Sequence, residues 1–219
     1  MQIALANETL HALPGRALHW PRAATLFVAD LHWGKGATLR AGGLPVPQGD
    51  DADLDRLSVL LHTTAATRLV ILGDLLHARA GRTESTVAAL GRWRAHHPDL
   101  NMLLVRGNHD ARAGDPPADL GIVCVDEPYV LDPFVLRHTP QPDPRGYVLA
   151  GHLHPAVVLS GRGRQRLKLP CFWCGAQVAV LPAFSELAAG AVVVPVRGDR
   201  VLAIAGDEVV AVEAGGHRP

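Results

Sequence analysis

The chain of 219 residues has no net charge, its 21 basic side chains being matched by 21 acidic ones. A protein that held nucleic acid mainly by coating phosphates would be basic overall, so any hold on a polymer here has to be local. Cysteine is scarce and odd in number, three in all, which argues against a disulfide framework. No run approaches the roughly 18 to 20 apolar residues that a membrane-spanning helix needs. Met1-Gln2-Ile3-Ala4 lacks the basic start and apolar stretch of a signal peptide, so a cytoplasmic address with no membrane partner is the expectation. Three common catalytic signatures are missing: there is no HExxH, no GxSxG and no Walker loop. Cys171-Phe172-Trp173-Cys174 has no second CxxC to complete a zinc site, and both thiols are expected to be buried.

What is present is a hydrophobic fraction of 48%, enough for a well-buried core in one domain spanning residues 1–219. Thr25 to Ala29, Arg68 to Leu72 and Leu100 to Val105 are short apolar runs flanked by polar residues or glycine, as buried strands should be. A helix is expected between the first two, started by Asp50 and Asp51 and marked by Leu54, Leu57, Leu60 and Leu61 at helical spacing. A second is expected from about Thr83 to His97, with Val87, Leu90 and Trp93 on one face and Pro98 as its stop. Strand–helix–strand–helix–strand predicts a right-handed, largely parallel sheet whose ligands gather beyond the carboxyl ends of the strands.

After a Gly-, Asp- and Pro-rich loop from Arg112 to Pro117 the pattern turns to short β-like runs, at Val148 to Ala150, Gln177 to Leu181, Ala191 to Val196 and Val209 to Val212. One further helix is expected at Ser185 to Ala189. These runs predict a second, more antiparallel sheet packed on the first.

Five clusters carry the chemistry: Asp30-Leu31-His32, Gly73-Asp74, Gly107-Asn108-His109-Asp110, His138 and Gly151-His152-Leu153-His154. Three stand at the ends of predicted strands. Alternate strand residues face the same side, so Asp30 and His32 can serve one ion, and so can His152 and His154. Oxygen and imidazole donors suit Mn, Fe, Zn, Co or Ni. Asp74 has two oxygens and can bridge two ions, while Asn108 offers a neutral carbonyl oxygen that tempers the negative charge a phosphate must approach. His138 is the one histidine between Asp110 and Gly151; a ligand role or the capping of a turn would both suit it. His109 is better placed for work outside the ligand set, with Asp110 either orienting its ring or serving as a solvated turn residue.

In this order the clusters resemble the calcineurin-like metallophosphoesterase superfamily, with its DxH, GD, GNH(D/E), H and GHxH pattern, every motif present from Asp30 to His154. The resemblance implies a two-sheet α/β/β/α sandwich and two divalent ions, manganese first, with iron or zinc as alternatives. One ion would be held by Asp30, His32, Asp74 and His154, the other by Asp74, Asn108, His138 and His152. His109 would act as acid or transition-state stabiliser in the in-line hydrolysis of a phosphoester.

A narrower resemblance surrounds the first cluster. Asp30-Leu31-His32-Trp33-Gly34-Lys35, Arg40 to Pro47, Gly73 to Arg79 and Leu181-Pro182-Ala183-Phe184 look like the ligase-associated DNA damage response endonucleases, the PdeM family. That implies a DNA endonuclease or phosphodiesterase in DNA repair, with a DNA ligase, a helicase and an exonuclease-like protein as partners. The alternative is a phosphodiesterase or phosphatase for nucleotides or cyclic nucleotides. A non-catalytic relative is disfavoured by the intact ligand set. His77, Arg79 and Arg82, which follow Asp74, suit substrate contacts or a charged loop equally well. Further substrate contacts are expected from Arg162, Arg164, Arg166 and Lys168, which would share one face of a strand. That basic stretch would suit a protected edge strand equally well.

Overall fold

The computed structural model describes residues 1–46, 50–161 and 165–212. Three short strands open the chain: β1 (Gln2–Leu5), β2 (Glu8–Leu13) and β3 (Ala17–Trp20). Then come β4 (Thr25–Val28), helices α1 (Lys35–Ala41) and α2 (Asp50–Thr64), β5 (Arg68–Leu72), α3 (Glu84–His96), β6 (Asn101–Val105), the short α4 (Asp110–Ala113) and β7 (Ile122–Val125). These seven strands form one sheet in sequence order, antiparallel from β1 to β4 and parallel from β4 to β7. The parallel half is the one its apolar runs predict.

The second sheet holds β8 (Tyr129–Leu131), β9 (Phe134–Leu136), β10 (Tyr147–Ala150), β11 (Pro155–Ser160), β12 (Arg166–Cys174), β13 (Val178–Val180), β14 (Ala191–Val192), β15 (Arg200–Ala205) and β16 (Glu208–Val212). It is mixed: β9–β10, β10–β13 and β11–β14 pair in parallel, and the other pairings are antiparallel. Among the described residues all four α-helices precede β7, and Ser185 to Ala189 forms a turn rather than a helix. Its backbone is committed elsewhere, since Phe184 and Ser185 donate to the carbonyls of Ala29 and Asp30. Arg162 and Arg164 lie outside the described residues. Arg166 and Lys168 are exposed on β12.

Alternation along the first sheet divides its side chains between two cores. Leu26, Val28, Leu69, Ile71 and Leu104 face α2 and α3, meeting Leu57, Leu61, Leu90 and Trp93. Phe27, Val70, Leu72 and Val105 face the second sheet, meeting Phe134, Leu149, Phe172 and Leu202. Each fully buried side chain of this size contributes roughly 1.5–3 kcal/mol relative to exposure, so a register slip that swapped the two faces would be prohibitive. Thr83 caps α3, its hydroxyl accepting from the Thr86 backbone N–H at 3.2 Å. This packing fixes the ends of β4, β5, β6 and β10 along one edge. Cys171 and Cys174 are both buried and free, and burial pushes their thiols up to about 12 and about 11.

Candidate metal centre

The residues expected as metal ligands do not sit within the strands, as an alternating-face argument requires, but just past their ends. Asp30, His32, Asp74, His152 and His154 all have left-handed backbones, with φ of 54°, 49°, 52°, 72° and 47°. Each such residue costs about 1–3 kcal/mol and persists only where its surroundings hold it. The holding contacts are visible. Asp30 N donates to Gly73 O at 3.1 Å, His32 N to Asp74 O at 2.8 Å and Trp33 N to Leu75 O at 2.9 Å, so the loops after β4 and β5 stay zipped beyond the sheet. Asp30 Oδ2 accepts from His152 N at 2.8 Å, tying in the loop after β10. Gly73 has φ of +84°, and a Cβ there would overlap the His138 ring; one at Gly107 would overlap the Asp74 carboxylate.

The side chains converge as two groups joined at Asp74. In the first, the donor atoms of Asp30, His32 and His154 lie within 4.8 Å of one another. His32 Nε2 is 3.2 Å from His154 Nε2 and 3.9 Å from Asp74 Oδ2. In the second, His138 Nε2 lies 3.5 Å from Asp74 Oδ2, 2.9 Å from Asn108 Oδ1 and 3.0 Å from His152 Nδ1. All seven residues expected as ligands are therefore brought together. Asp30, His32, Asp74 and His138 form a buried floor, while Asn108 and His152 are exposed. The centre faces solvent.

The ring protons are placed as metal-binding histidines place them. His138 Nδ1 donates to the Leu72 carbonyl at 3.1 Å and His154 Nδ1 to that of Ala189 at 3.3 Å, leaving each Nε2 lone pair aimed at the cluster. Burial, aided by His154, Lys35, His109 and His77, pushes His32 down to about 2, which keeps it a neutral donor. Burial also raises Asp74 against the pull of His138. Asp30 Oδ1 is buried with no hydrogen-bond donor. His154 Nε2 is 3.4 Å away and, in the neutral ring with its proton on Nδ1, gives it no hydrogen bond. Burial acts to lower His154, yet the Asp30 carboxylate and the Ala189 carbonyl raise it on balance. The pocket thus calls for positive charge, and a cation would satisfy Asp30 and the two imidazoles together. The donor set fits a divalent metal ion.

His109 stands beside this set. Its Nδ1 donates to the His77 carbonyl at 2.6 Å, and its Nε2 points towards Asp74 Oδ2 at 4.0 Å. The His77 ring stacks on it, with centroids 5.0 Å apart and an interplanar angle of 21°, and a third group of close donors joins His32, His77 and His109. Asp110 takes neither role expected of it. It is buried, and its oxygens accept from Leu76 N at 3.2 Å and Gly107 N at 2.9 Å, so it braces the two loops and the His77 carbonyl orients His109 instead. Burial raises its carboxyl. Arg79 is exposed and, among the described residues, makes no hydrogen bond or ion pair to the cluster; Arg82 donates to Ala113 O at 3.0 Å.

Two residues that support or face the candidate site escape sequence reasoning. Glu127 accepts from His138 N at 2.7 Å and from Thr139 N and Oγ1 at 2.9 Å each, fixing the His138 loop. Lys35 is half-buried, its charge acts on His32, His77 and His154, and burial lowers its own pKa. Lys35 belongs to the Asp30–Lys35 motif, the signal that could have exposed it; Glu127 has no motif at all.

The solved structure of the Pseudomonas putida nuclease MPE matches with a TM-score of 0.84 and 43% identity, covering 97% of this chain and 99% of that one. YfcE, a phosphoesterase from E. coli, matches with a TM-score of 0.42 and 15% identity, over 87% of this chain and 99% of that one. No family model and no curated protein matches the chain.

Proposed function

This chain belongs to the calcineurin-like metallophosphoesterases, in the family of the Pseudomonas putida nuclease MPE, and on that premise we propose that it is a two-metal phosphodiesterase acting on DNA. The observation that carries the reading is the position of Asp74, whose Oδ2 faces His32 at 3.9 Å and His138 at 3.5 Å. One carboxylate oxygen between two donor groups suits a bridge between two ions. Asp30, His32, Asp74 and His154 are assigned to one, and Asp74, Asn108, His138 and His152 to the other. Manganese is the first candidate, with iron or zinc as alternatives. Bound there, such ions would supply Lewis acidity for a phosphoryl oxygen and for water.

The chain's own residues do the remaining work. The His77 carbonyl takes the Nδ1 proton and fixes the His109 ring. In the imidazolium form the second proton sits on Nε2, on the side of the metal-binding cluster, from where it would pass to the leaving oxygen. An alkoxide leaves a phosphodiester poorly, so this proton has a clear purpose. Burial holds His77 down at about 4, which makes it a neutral partner in the stack, and Lys35 contributes the nearby fixed charge for phosphate oxygens. Asp110 keeps the two loops in register.

The DNA substrate is supported by the 43% identity to a nuclease and by the exposed setting of Asn108 and His152, which leaves room for a polymer. A place in repair, beside a ligase, a helicase and an exonuclease-like protein, follows the resemblance around Asp30–Lys35. The test is the manganese-loaded protein assayed side by side on single-stranded DNA, duplex DNA, a 2′,3′-cyclic nucleotide and an aryl phosphodiester. Cleavage of DNA is expected. Turnover of the two small substrates with both DNAs intact would sink the DNA assignment and keep the phosphodiesterase one.

A further inference from the structure

Beside the metal centre a cavity of about 310 Å3 opens where the two sheets meet, with Arg16, His154, Lys168, Ala183, Ala189 and Gly190 among its lining residues. His154 is shared: it lines the cavity and aims Nε2 into the metal-binding cluster. Arg16, in the turn between β2 and β3, donates to the carbonyls of Ala183 at 3.4 Å and Ser185 at 3.0 Å. Lys168 comes from β12 on the other sheet, and its amine donates to the Gly190 carbonyl. Both cations are thus held in place by neutral carbonyls. None of the lining residues is acidic. Asp53 and Glu186, whose charges reach Arg16, pair with Arg56 at 2.7 and 3.1 Å, and Asp30 lies behind His154, 3.4 Å from its Nε2.

We infer that this cavity is a subsite for the nucleotide next to the scissile phosphate, with Arg16 and Lys168 holding that nucleotide's outer phosphate. Its volume is at the small end of the range of about 300–1,000 Å3 for ligand sites, room for one nucleotide unit and no more. Apart from Arg16, His154 and Lys168 its walls are apolar, proline, leucine, alanine and glycine, so these three are the side chains that a phosphate there would meet with a polar group. Arg166 lies two residues before Lys168 on the same face of β12 and extends the basic path away from the metal centre. This inference rests on the phosphodiesterase reading and adds to it: the enzyme would favour a strand with a phosphate beyond the one it cuts.

The test compares thymidine dinucleotides with and without an additional terminal phosphate. For the wild-type protein kcat/KM should be at least tenfold higher with the extra phosphate. In Lys168→Ala that ratio should fall towards one, and in Lys168→Arg it should be retained. Arg16→Lys, which keeps the charge, should likewise retain it. In parallel, binding of a fluorescein-labelled hexathymidylate to the metal-free protein is followed against salt, and Lys168→Ala should flatten the slope by about 0.7. Equal turnover of both dinucleotides by the wild type would overturn the subsite while leaving the phosphodiesterase reading intact. Turnover of neither would sink that reading instead, and an unchanged salt slope in Lys168→Ala would then still overturn the subsite.

Discussion

The backbone N–H of His109 donates to Oδ1 of Asp74 at 2.9 Å, while Oδ2 of the same carboxylate faces His138 and His32. One oxygen holds the loop that carries His109 and the other serves the metal centre. Asp74→Asn separates the two tasks, because the amide oxygen can still accept from His109 while the charge is gone. The variant should fold, bind less metal by elemental analysis and lose more than about 100-fold in activity, beyond what loss of an outer partner usually costs. Full metal content in this variant would remove Asp74 from the bridging position.

His109→Ala should behave differently. Its Nδ1 is committed to the His77 carbonyl and its ring stacks on His77, so removing it takes away the proposed proton donor and leaves the seven proposed metal ligands in place. Turnover should fall by about 100- to 10,000-fold on a substrate with a poor leaving group. The loss should be much smaller on an aryl ester, whose leaving oxygen needs no proton. Loss of metal on this substitution would move His109 into the ligand set.

Glu127 is the carboxylate on which His138 depends. It gathers two backbone N–H groups and the Thr139 hydroxyl. Glu127→Ala leaves those donors without an acceptor, at about 1–3 kcal/mol of stability, and should weaken metal binding by about 10- to 100-fold through His138. Glu127→Gln, which keeps an acceptor oxygen, should recover part of both. Isothermal titration with manganese reads the affinity, and unchanged affinity in the alanine variant would show that His138 is placed without Glu127.

What the sequence makes legible here is chemistry at the ends of apolar runs. Val28, Leu72 and Val105 close β4, β5 and β6, and polar residues two to three positions on are forced to the sheet edge. The strands before Thr25 have no such run: β1 and β2 alternate over four and six residues, and Arg16 sits in the short turn between β2 and β3. Groups that act through the backbone leave no trace in side-chain identity. The carbonyls of Leu72, Ala189 and His77 set three imidazole protons, and no residue type there announces it. Asp110 misleads for the opposite reason. Its neighbour in sequence is His109, but its neighbours in space are the N–H groups of Gly107 and Leu76. Leu181 to Phe184 reads as a family signature, and its physical task is local: Phe184 N bonds Ala29 O, Ser185 N bonds Asp30 O, and the strap pins the first metal-binding loop.

That strap is held from behind by Arg56, which donates to the Phe184 carbonyl, lies 4.3 Å from the centroid of its ring and pairs with Asp53 at 2.7 Å. Asp53 is 4% exposed, and burial pushes its carboxyl from 3.8 up to about 6 in spite of Arg56. Below about 3.8 the acid is neutral in both folded and unfolded chains and costs nothing. As pH rises towards 6 the unfolded chain sheds its proton before the folded one does, so this group removes stability across that window and the loss is complete above it. The gap corresponds to roughly 3 kcal/mol. Asp53→Asn keeps an acceptor for Arg56 without a charge to bury. In urea unfolding from pH 4 to 7, the variant should gain on the wild type by up to about 3 kcal/mol, with the gain concentrated between pH 4 and 6. A difference that stays flat, or reverses in favour of the wild type, would mean that the Arg56 pair outweighs burial and that Asp53 is ionised throughout.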